Sequence, residues 1–248
     1  MRNLMIYQGS KSRLRKYIIP ILQKCIDEND ITVYIEPFCG GCNVIDHIKC
    51  KHRIANDSNR ELIELLHYMA HNPSLSIFPE DCTFEHYADV RENRKNKTDK
   101  YSIEYTAGIG YFASFGGRYF DGGFGRCPTG KRNIYTERLK YAKEQAPLLK
   151  DISFASFDYA ELLSFGYHNA LFYFDPPYRG TKSYNGKNDF NYERFYYHCR
   201  EIAKNNFVFI SEYNMPPDFK CIWQKERKVM QKSDRTKADV AVEKLFTL

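Results

Sequence analysis

The chain has 248 residues, 43% of them hydrophobic and 27% charged, with a formal net charge of +6 and a pI near 8.7. This is the composition of an ordinary soluble globular protein, long enough for one large α/β unit or a core with a modest insertion. No apolar run approaches the roughly 20 residues of a membrane span, and residues 1–7 lack the apolar region and cleavage site of a secretion signal, so a cytoplasmic protein with no membrane partner is expected.

In chain order, Leu14, Ile18, Ile21, Leu22 and Cys25 fall at helical spacing and predict a helix from about Ser12 to Ile26. The β-branched run Ile31 to Ile35 predicts a buried strand that ends in Glu36-Pro37-Phe38-Cys39-Gly40-Gly41-Cys42, after which Asn43 can cap a short helix. Arg53-Ile54-Ala55 is a second strand, closed by Asn56-Asp57-Ser58. A helix with Leu62, Leu65, Leu66 and Met69 on one face follows. From about Asn72 to Leu149 charged helical stretches surround a section rich in glycine and arginine, Phe115 to Arg126. The α/β rhythm then resumes with strand Ile152–Phe154, a short helix Tyr159–Leu163 and the all-apolar strand Leu171–Phe174. Last come a helix from Tyr192 to Lys204, strand Phe207–Ile210, and two strand candidates near Lys225–Met230 and Val240–Thr247. Strands alternating with helices predict a largely parallel, doubly wound sheet.

Eight scattered cysteines do not make a disulfide scaffold. Cys39 and Cys42 have CxxC spacing, but no second pair follows at a zinc-like distance. They read as small residues of a tight loop sooner than as a metal or redox pair.

The strongest chemical signal is Asp175-Pro176-Pro177-Tyr178 directly after an apolar strand. Such a strand delivers Asp175 to the carboxyl edge of the sheet, where open α/β folds bind ligands. Two prolines fix the backbone and remove two amide donors, leaving carbonyls as acceptors. A carboxylate and a carbonyl side by side can take both hydrogens of an exocyclic amino group, and Tyr178 offers a face on which a base can stack. Accepting both protons returns electron density to a nitrogen whose lone pair is otherwise delocalised, which suits methyl transfer from a sulfonium. A proline-stiffened turn with a capping Asp is the structural alternative. The glycines after the first strand allow close backbone approach to a nucleoside, while the missing GxGxxG argues against NAD or FAD. Asp57, at the end of the second strand, is placed to bond ribose hydroxyls; an N-cap or Asx turn is the alternative there.

Taken together and in order, these segments resemble the Dam-like class of DNA adenine methyltransferases, almost end to end. Tyr7-Gln8-Gly9-Ser10-Lys11 looks like the family's aromatic-x-Gly-Gly-Lys segment, and Glu36 to Gly40 like its Glu-Pro-Phe-x-Gly donor loop. Ala55 to Ile63 is similar to its ribose segment, Asp158 stands where the family contacts the donor's adenine, and Phe209 to Tyr213 resembles the strand bordering the target-base pocket. The resemblance implies a Rossmann-like S-adenosylmethionine-dependent sheet, with Asp175, Pro176, Pro177 and Tyr178 as catalytic residues and no metal. It implies that Tyr7, Gly9, Lys11, Glu36, Phe38, Gly40, Asp57, Asp158 and Asp175 bind the donor, S-adenosylmethionine. Two departures stand out: Ser10 and Cys42 occupy positions where the family often has glycine, and Gly41 is a candidate to supply the displaced flexibility.

Between residues 91 and 150 about 13 Lys and Arg face about 6 Asp and Glu, so most of the positive excess sits in one segment. In the family the target-recognition region lies here. The expected organisation is therefore a catalytic domain from residues 1–72 and 151–248, with a mainly helical recognition insertion over 73–150. Most of its cations read as a solvated face. Arg118, Arg126, Lys131 and Arg132 are the candidates for DNA contact, and Tyr119 or Phe120 for filling the gap left by a flipped base. The expected reaction is methylation of adenine N6 in double-stranded DNA, by a monomer or weak dimer. Cytosine N4, adenine in RNA, or an inactive DNA-binding relative remain as alternatives.

Overall fold

The computed structural model describes residues 5, 7, 9–178, 190–230 and 238–248, with the backbone alone for 227–230 and 238–240. Gln8 of the first motif and most of residues 1–6 lie outside the described residues.

Seven strands form one sheet: β1 (Val33–Glu36), β2 (His52–Asn56), β3 (Ile152–Ala155), β4 (Leu171–Phe174), β5 (Phe207–Glu212), β6 (Lys220–Met230) and β7 (Ala238–Thr247), in the order β3-β2-β1-β4-β5-β7-β6. The first five are parallel, and β7 runs antiparallel between β5 and β6. Tyr34 of β1 sits beside Leu171 of β4, and that pairing is where the strand order turns around.

Period-two alternation sends neighbouring side chains to opposite faces. Tyr34, Leu171, Tyr173, Phe209 and Leu245 enter one core, and Ile35, Phe172, Phe174, Val208, Ile210 and Phe246 enter the other. Helices α1 (Arg15–Glu28) and α2 (Arg60–His71) cover the first face, through Ile18, Leu22 and Ile26 and through Leu62, Leu65, Leu66 and Met69. Between β3 and β5 come α6 (Tyr159–Leu163) and α7 (Tyr192–Ala203), which cover the second through Tyr159, Leu162, Phe195 and Cys199. Among the described residues no helix is long and apolar enough to cross a membrane.

The predicted helix at the start begins three residues late. Ser10 Oγ accepts from the Ser12 amide and winds Lys11–Arg13 into a single 3-10 turn first. Asn43 caps no helix; its amide donates to the carbonyls of Met5 and Gly41, and only one 3-10 turn follows, Ile45–His47.

Three helices lie between α2 and β3: α3 (Phe84–Asn96), α4 (Ile103–Ala113) and α5 (Ile134–Gln145). Thr83, Ser102 and Asn133 cap them with side-chain oxygens. Tyr87, Val90, Ala107, Ile109, Tyr135 and Leu139 join the same core as Leu62 and Met69, so the segment shares its interior with the helices on the sheet. Gly110 has a packing reason: an added Cβ would meet the Tyr119 ring at 2.5 Å and the Phe120 ring at 2.7 Å.

Arg138 of α5 is buried, and its Nη1 donates to the carbonyls of Tyr111 and Phe112, both at 3.2 Å, and to that of Ser114. These are the last carbonyls of α4 and its cap, where helix geometry leaves acceptors without partners and the dipole favours a cation. Arg138→Met would strand them in a dry interior, at about 2–4 kcal/mol. The expected outcome is a thermal midpoint lower by about 5–10 °C, read by differential scanning calorimetry.

Candidate active site

β4 ends on Phe174 and releases Asp175 at the turnaround of the strand order, the place where doubly wound sheets open a crevice for ligands. Pro176 is buried and Pro177 exposed, and the Tyr192 hydroxyl donates to the Pro177 carbonyl at 2.9 Å. The Pro176 carbonyl accepts no hydrogen bond from the described residues.

Lys11 Nζ lies 2.7 Å from Asp175 Oδ1, with side chains 6% and 20% exposed, and 4.5 Å from the centre of the Tyr178 ring. The Tyr178 hydroxyl donates to Glu243 Oε2 at 2.9 Å, and its ring meets the edge of Tyr213 at 4.6 Å. Tyr173 of β4 and Ser211 of β5, both buried, share a hydrogen bond of 2.8 Å. Burial pushes the Asp175 carboxyl up; Lys11 pulls it down and Glu243 adds to the rise. Burial and the carboxylates of Asp175 and Glu243 push the Tyr178 phenol well up, which keeps it protonated and a donor.

On the other side of the turnaround, Glu36 at the end of β1 is 3% exposed and accepts from the Tyr34 hydroxyl at 2.7 Å. Burial pushes it well above the ordinary carboxylate range, with Asp46 and Asp175 adding to the rise. Asp57 after β2 accepts from the amides of Gly40 (3.2 Å) and Asn59 (2.9 Å), an Asx turn that also ties down the glycine loop. The N-cap of α2 is Asn59, not Asp57. Asp158 after β3 is exposed and caps α6 through the Ala160 amide at 3.0 Å. Phe38 points to the α6–α7 face, against Tyr159 at 5.2 Å and Phe195 at 6.2 Å.

Gly40 has φ +47, and an added Cβ would strike the Tyr7 ring at 2.9 Å, so Tyr7 packs directly on the loop. Gly41 does not take up the freedom of the missing glycine. Cys42 itself adopts the left-handed φ of +56, a conformation that costs a non-glycine residue about 1 kcal/mol. Cys39 and Cys42 are buried free thiols, held protonated by burial.

The patterns of the sequence did not single out Asn56 or Gln145. Asn56 is fully buried; its side-chain amide donates to the carbonyls of Pro37 and Phe157 and its oxygen accepts from the Phe157 amide, so one residue joins the loops after β1, β2 and β3. Gln145, the last residue of α5, is also fully buried. Its amide donates to Gly41 O (2.9 Å) and Asp46 Oδ2 (3.1 Å), and its oxygen accepts from the Met5 amide (3.0 Å).

The candidate DNA contacts divide. Arg118 and Lys131 are exposed and ion-paired with none of the described residues. Arg126 lies over the Phe84 and Phe124 rings at 5.1 and 5.8 Å. Arg132 is engaged by Glu137 through Nε at 2.7 Å. Phe120, expected as a candidate to enter DNA, is 4% exposed and packs on Tyr87; its amide bonds Ser114 Oγ, so removing it from the core would open a cavity. Tyr119 is half-buried against Tyr111 at 4.6 Å, with its hydroxyl bonded by Arg94, which also grips Glu61 in a two-pronged pair. Both rings are therefore packing residues of the helical segment in this conformation.

Seven strands in this order, the last one reversed, with acceptors gathered at the turnaround, form the Rossmann-like methyltransferase sheet anticipated above. The family model for D12 class N6 adenine-specific DNA methyltransferases matches residues 7–213, and the chain belongs to that family. Modification methylase StsI of Streptococcus sanguinis is 26% identical to it over 205 residues, covering 75% of this chain and 30% of that protein. The chain thus spans less than a third of that relative's length. The solved rRNA methyltransferase AviRa of Streptomyces viridochromogenes has 13% identity and a TM-score of 0.46, covering 96% of this chain and 84% of that one.

Gln145→Ala would leave the Met5 amide, the Gly41 carbonyl and Asp46 without their shared partner, at about 1–3 kcal/mol. We expect a melting midpoint lower by a few degrees, read by differential scanning calorimetry. An unchanged midpoint would mean that these three groups find other partners.

Proposed function

We propose that this chain transfers a methyl group from S-adenosylmethionine to the exocyclic N6 nitrogen of adenine in double-stranded DNA. The observation that carries the reading is the placement of Asp175-Pro176-Pro177-Tyr178 at the turnaround of the sheet, beside acceptors from three other strand ends. Asp158, Asp57 and Asp175 follow β3, β2 and β4, and Glu36 ends β1; the strands are neighbours in the order β3-β2-β1-β4, so the four carboxyl groups lie along one edge.

That row fits the donor, whose ammonium, ribose hydroxyls and adenine amine are all hydrogen-bond donors and whose sulfonium is cationic. The loop at Gly40, approached by Asp57 and Tyr7, and Gly9, where an added Cβ would meet nothing within 4 Å, leave backbone accessible on the same side. Tyr7, Gly9, Lys11, Glu36, Phe38, Gly40, Asp57 and Asp158 are the residues we assign to donor binding, Phe38 through the hydrophobic wall it builds with Tyr159. When bound, the donor supplies an electrophilic methyl carbon.

The protein's own part is to present the nucleophile. Asp175 and the Pro176 carbonyl accept hydrogen bonds from the two N6 hydrogens, which keeps the lone pair directed at the methyl carbon, and one of these protons would leave the methylated nitrogen through Asp175 to water. Tyr178 stacks on the base, and Tyr213 walls the pocket. Lys11 now holds the acceptor that the amine needs and covers part of the Tyr178 ring, so a base entering the pocket must displace it or share Asp175 with it. The rate then comes from positioning and electrostatics. Reaching the pocket requires the adenine to leave the duplex stack. Arg118, Arg126 and Lys131, with Arg132 once released from Glu137, are the groups we assign to holding the DNA.

Plasmid from cells expressing the chain should show methylated adenine at one short motif in long-read sequencing, and Asp175→Ala should abolish it while retaining donor binding. Retention of more than a few per cent of the activity would contradict this mechanism.

The pH dependence follows from Asp175, which accepts these hydrogens only as a carboxylate. Its pKa is raised by burial, so the working form is lost as pH falls through a value above the ordinary carboxylate of about 3.9. Lys11 lowers that pKa, so Lys11→Ala should move the acid limb of the single-turnover rate to higher pH. An unmoved limb would separate the limb from Asp175.

A further inference from the structure

The family match ends at residue 213, and β7 lies wholly beyond it. Because β7 runs antiparallel to β5, its earlier residues reach the carboxyl edge of the sheet, where the site is. Lys244 sits beside Glu212, the last residue of β5, and Glu243 stands one step further out. Glu243 is 3% exposed, and its Oε2 accepts the Tyr178 hydroxyl at 2.9 Å. A carboxylate taken this far from water is costly unless hydrogen-bonded. Its direct cross-strand neighbour, Lys225, sends its ammonium to the Tyr17 hydroxyl and over the Tyr17 ring at 3.9 Å.

We propose that Glu243 is a positioning residue for methyl transfer, holding the Tyr178 ring in the plane on which the target base stacks. The inference rests on the function proposed above. Pro176 and Pro177 fix the backbone that leads to Tyr178 but leave its side-chain torsions free. Among the contacts on the ring are Tyr213 against it edge-on, Lys11 over it, and Glu243 at the hydroxyl. A base that enters displaces Lys11 or shares Asp175 with it, whereas Tyr213 and Glu243 lie at the edge and the hydroxyl of the ring and can keep its plane. A glutamate suits the task, since its side-chain oxygen accepts the one hydrogen that the phenol has to give. Glutamine keeps an acceptor of the same length; alanine keeps none.

The test uses the purified chain with tritiated S-adenosylmethionine and plasmid DNA under single-turnover conditions, with donor affinity measured by calorimetry. Glu243→Ala should lower the methylation rate by ~10–100-fold, the scale expected when a stacking surface is misplaced, with donor affinity held within about twofold. Glu243→Gln should recover most of the rate. In a Tyr178→Phe background Glu243→Ala should add less than about twofold, because the contact it removes is already gone. A merely structural carboxylate would give additive losses in that background, no rescue by glutamine, or a loss in donor affinity, and any of these overturns the proposal. A second readout needs no activity: the ring carbon resonance of Tyr178, assigned by its absence in Tyr178→Phe, should shift in Glu243→Ala. A parent chain that methylates nothing, with this resonance still responding, would sink the methyl-transfer reading and leave the contact standing. An active parent whose rate ignores Glu243→Ala would overturn the positioning role and leave the reading intact.

Discussion

The parallel pairing of β1 with β4 governs the rest of the molecule. On one side of that pair the chain winds outward through β2 and β3, and on the other through β5, so the loops leaving β1 and β4 diverge and cannot fill the space between them. Both strands are buried on both faces, and β4 carries four consecutive apolar or aromatic residues to achieve it. Their carboxyl ends then deliver Glu36 and Asp175 to the same crevice. Every contact of the proposed pocket, from Lys11 to Glu243, is arranged around that one discontinuity.

Concentrating acids there has an electrostatic consequence. Burial pushes the carboxyls of Glu36 and Asp175 up, and the neighbouring acids add to the rise: Asp46 and Asp175 at Glu36, and Glu243 at Asp175. The fold answers with hydroxyls and one ammonium. Tyr34 donates to Glu36, Tyr178 to Glu243, and Lys11 sits on Asp175. Tyrosine is effective in this role because its ring belongs to the core while its hydroxyl satisfies a buried acceptor. Tyr34 and Tyr178 thus have a structural use besides any contact with bases.

The helical segment between α2 and β3 is bound into this arrangement at several points. Gln145 ties the end of α5 to the glycine loop, to Asp46 and to Met5, while Arg94 on α3 grips Glu61 on α2. Asn59, within the segment Ala55–Ile63, caps α2 and bonds the Tyr111 hydroxyl of α4. These links put residues of the basic segment in direct contact with the loops assigned to the donor, so strain in one is felt in the other.

Much of this architecture was legible in the residues. The apolar run Leu171–Phe174, the helix Tyr159–Leu163 and the amphipathic stripe of Leu62, Leu65, Leu66 and Met69 are local patterns, and each appears at or close to its predicted bounds. The tetrapeptide Asp175 to Tyr178 could be placed at a strand end because periodicity and proline chemistry act over a few residues. The positions that needed the fold are those whose partners are remote in the chain. Gln145 finds Met5 140 residues away, Glu243 finds Tyr178 65 residues away, and Asn56 finds Phe157 101 residues away. Phe120 lies among glycines and arginines in the chain, and long-range packing on Tyr87 takes it into the core. Local sequence determined which segments became strands, helices and acceptor-bearing turns. Only the tertiary structure decided which polar side chains were buried together, because burial depends on what the distant parts of the chain bring to the same place.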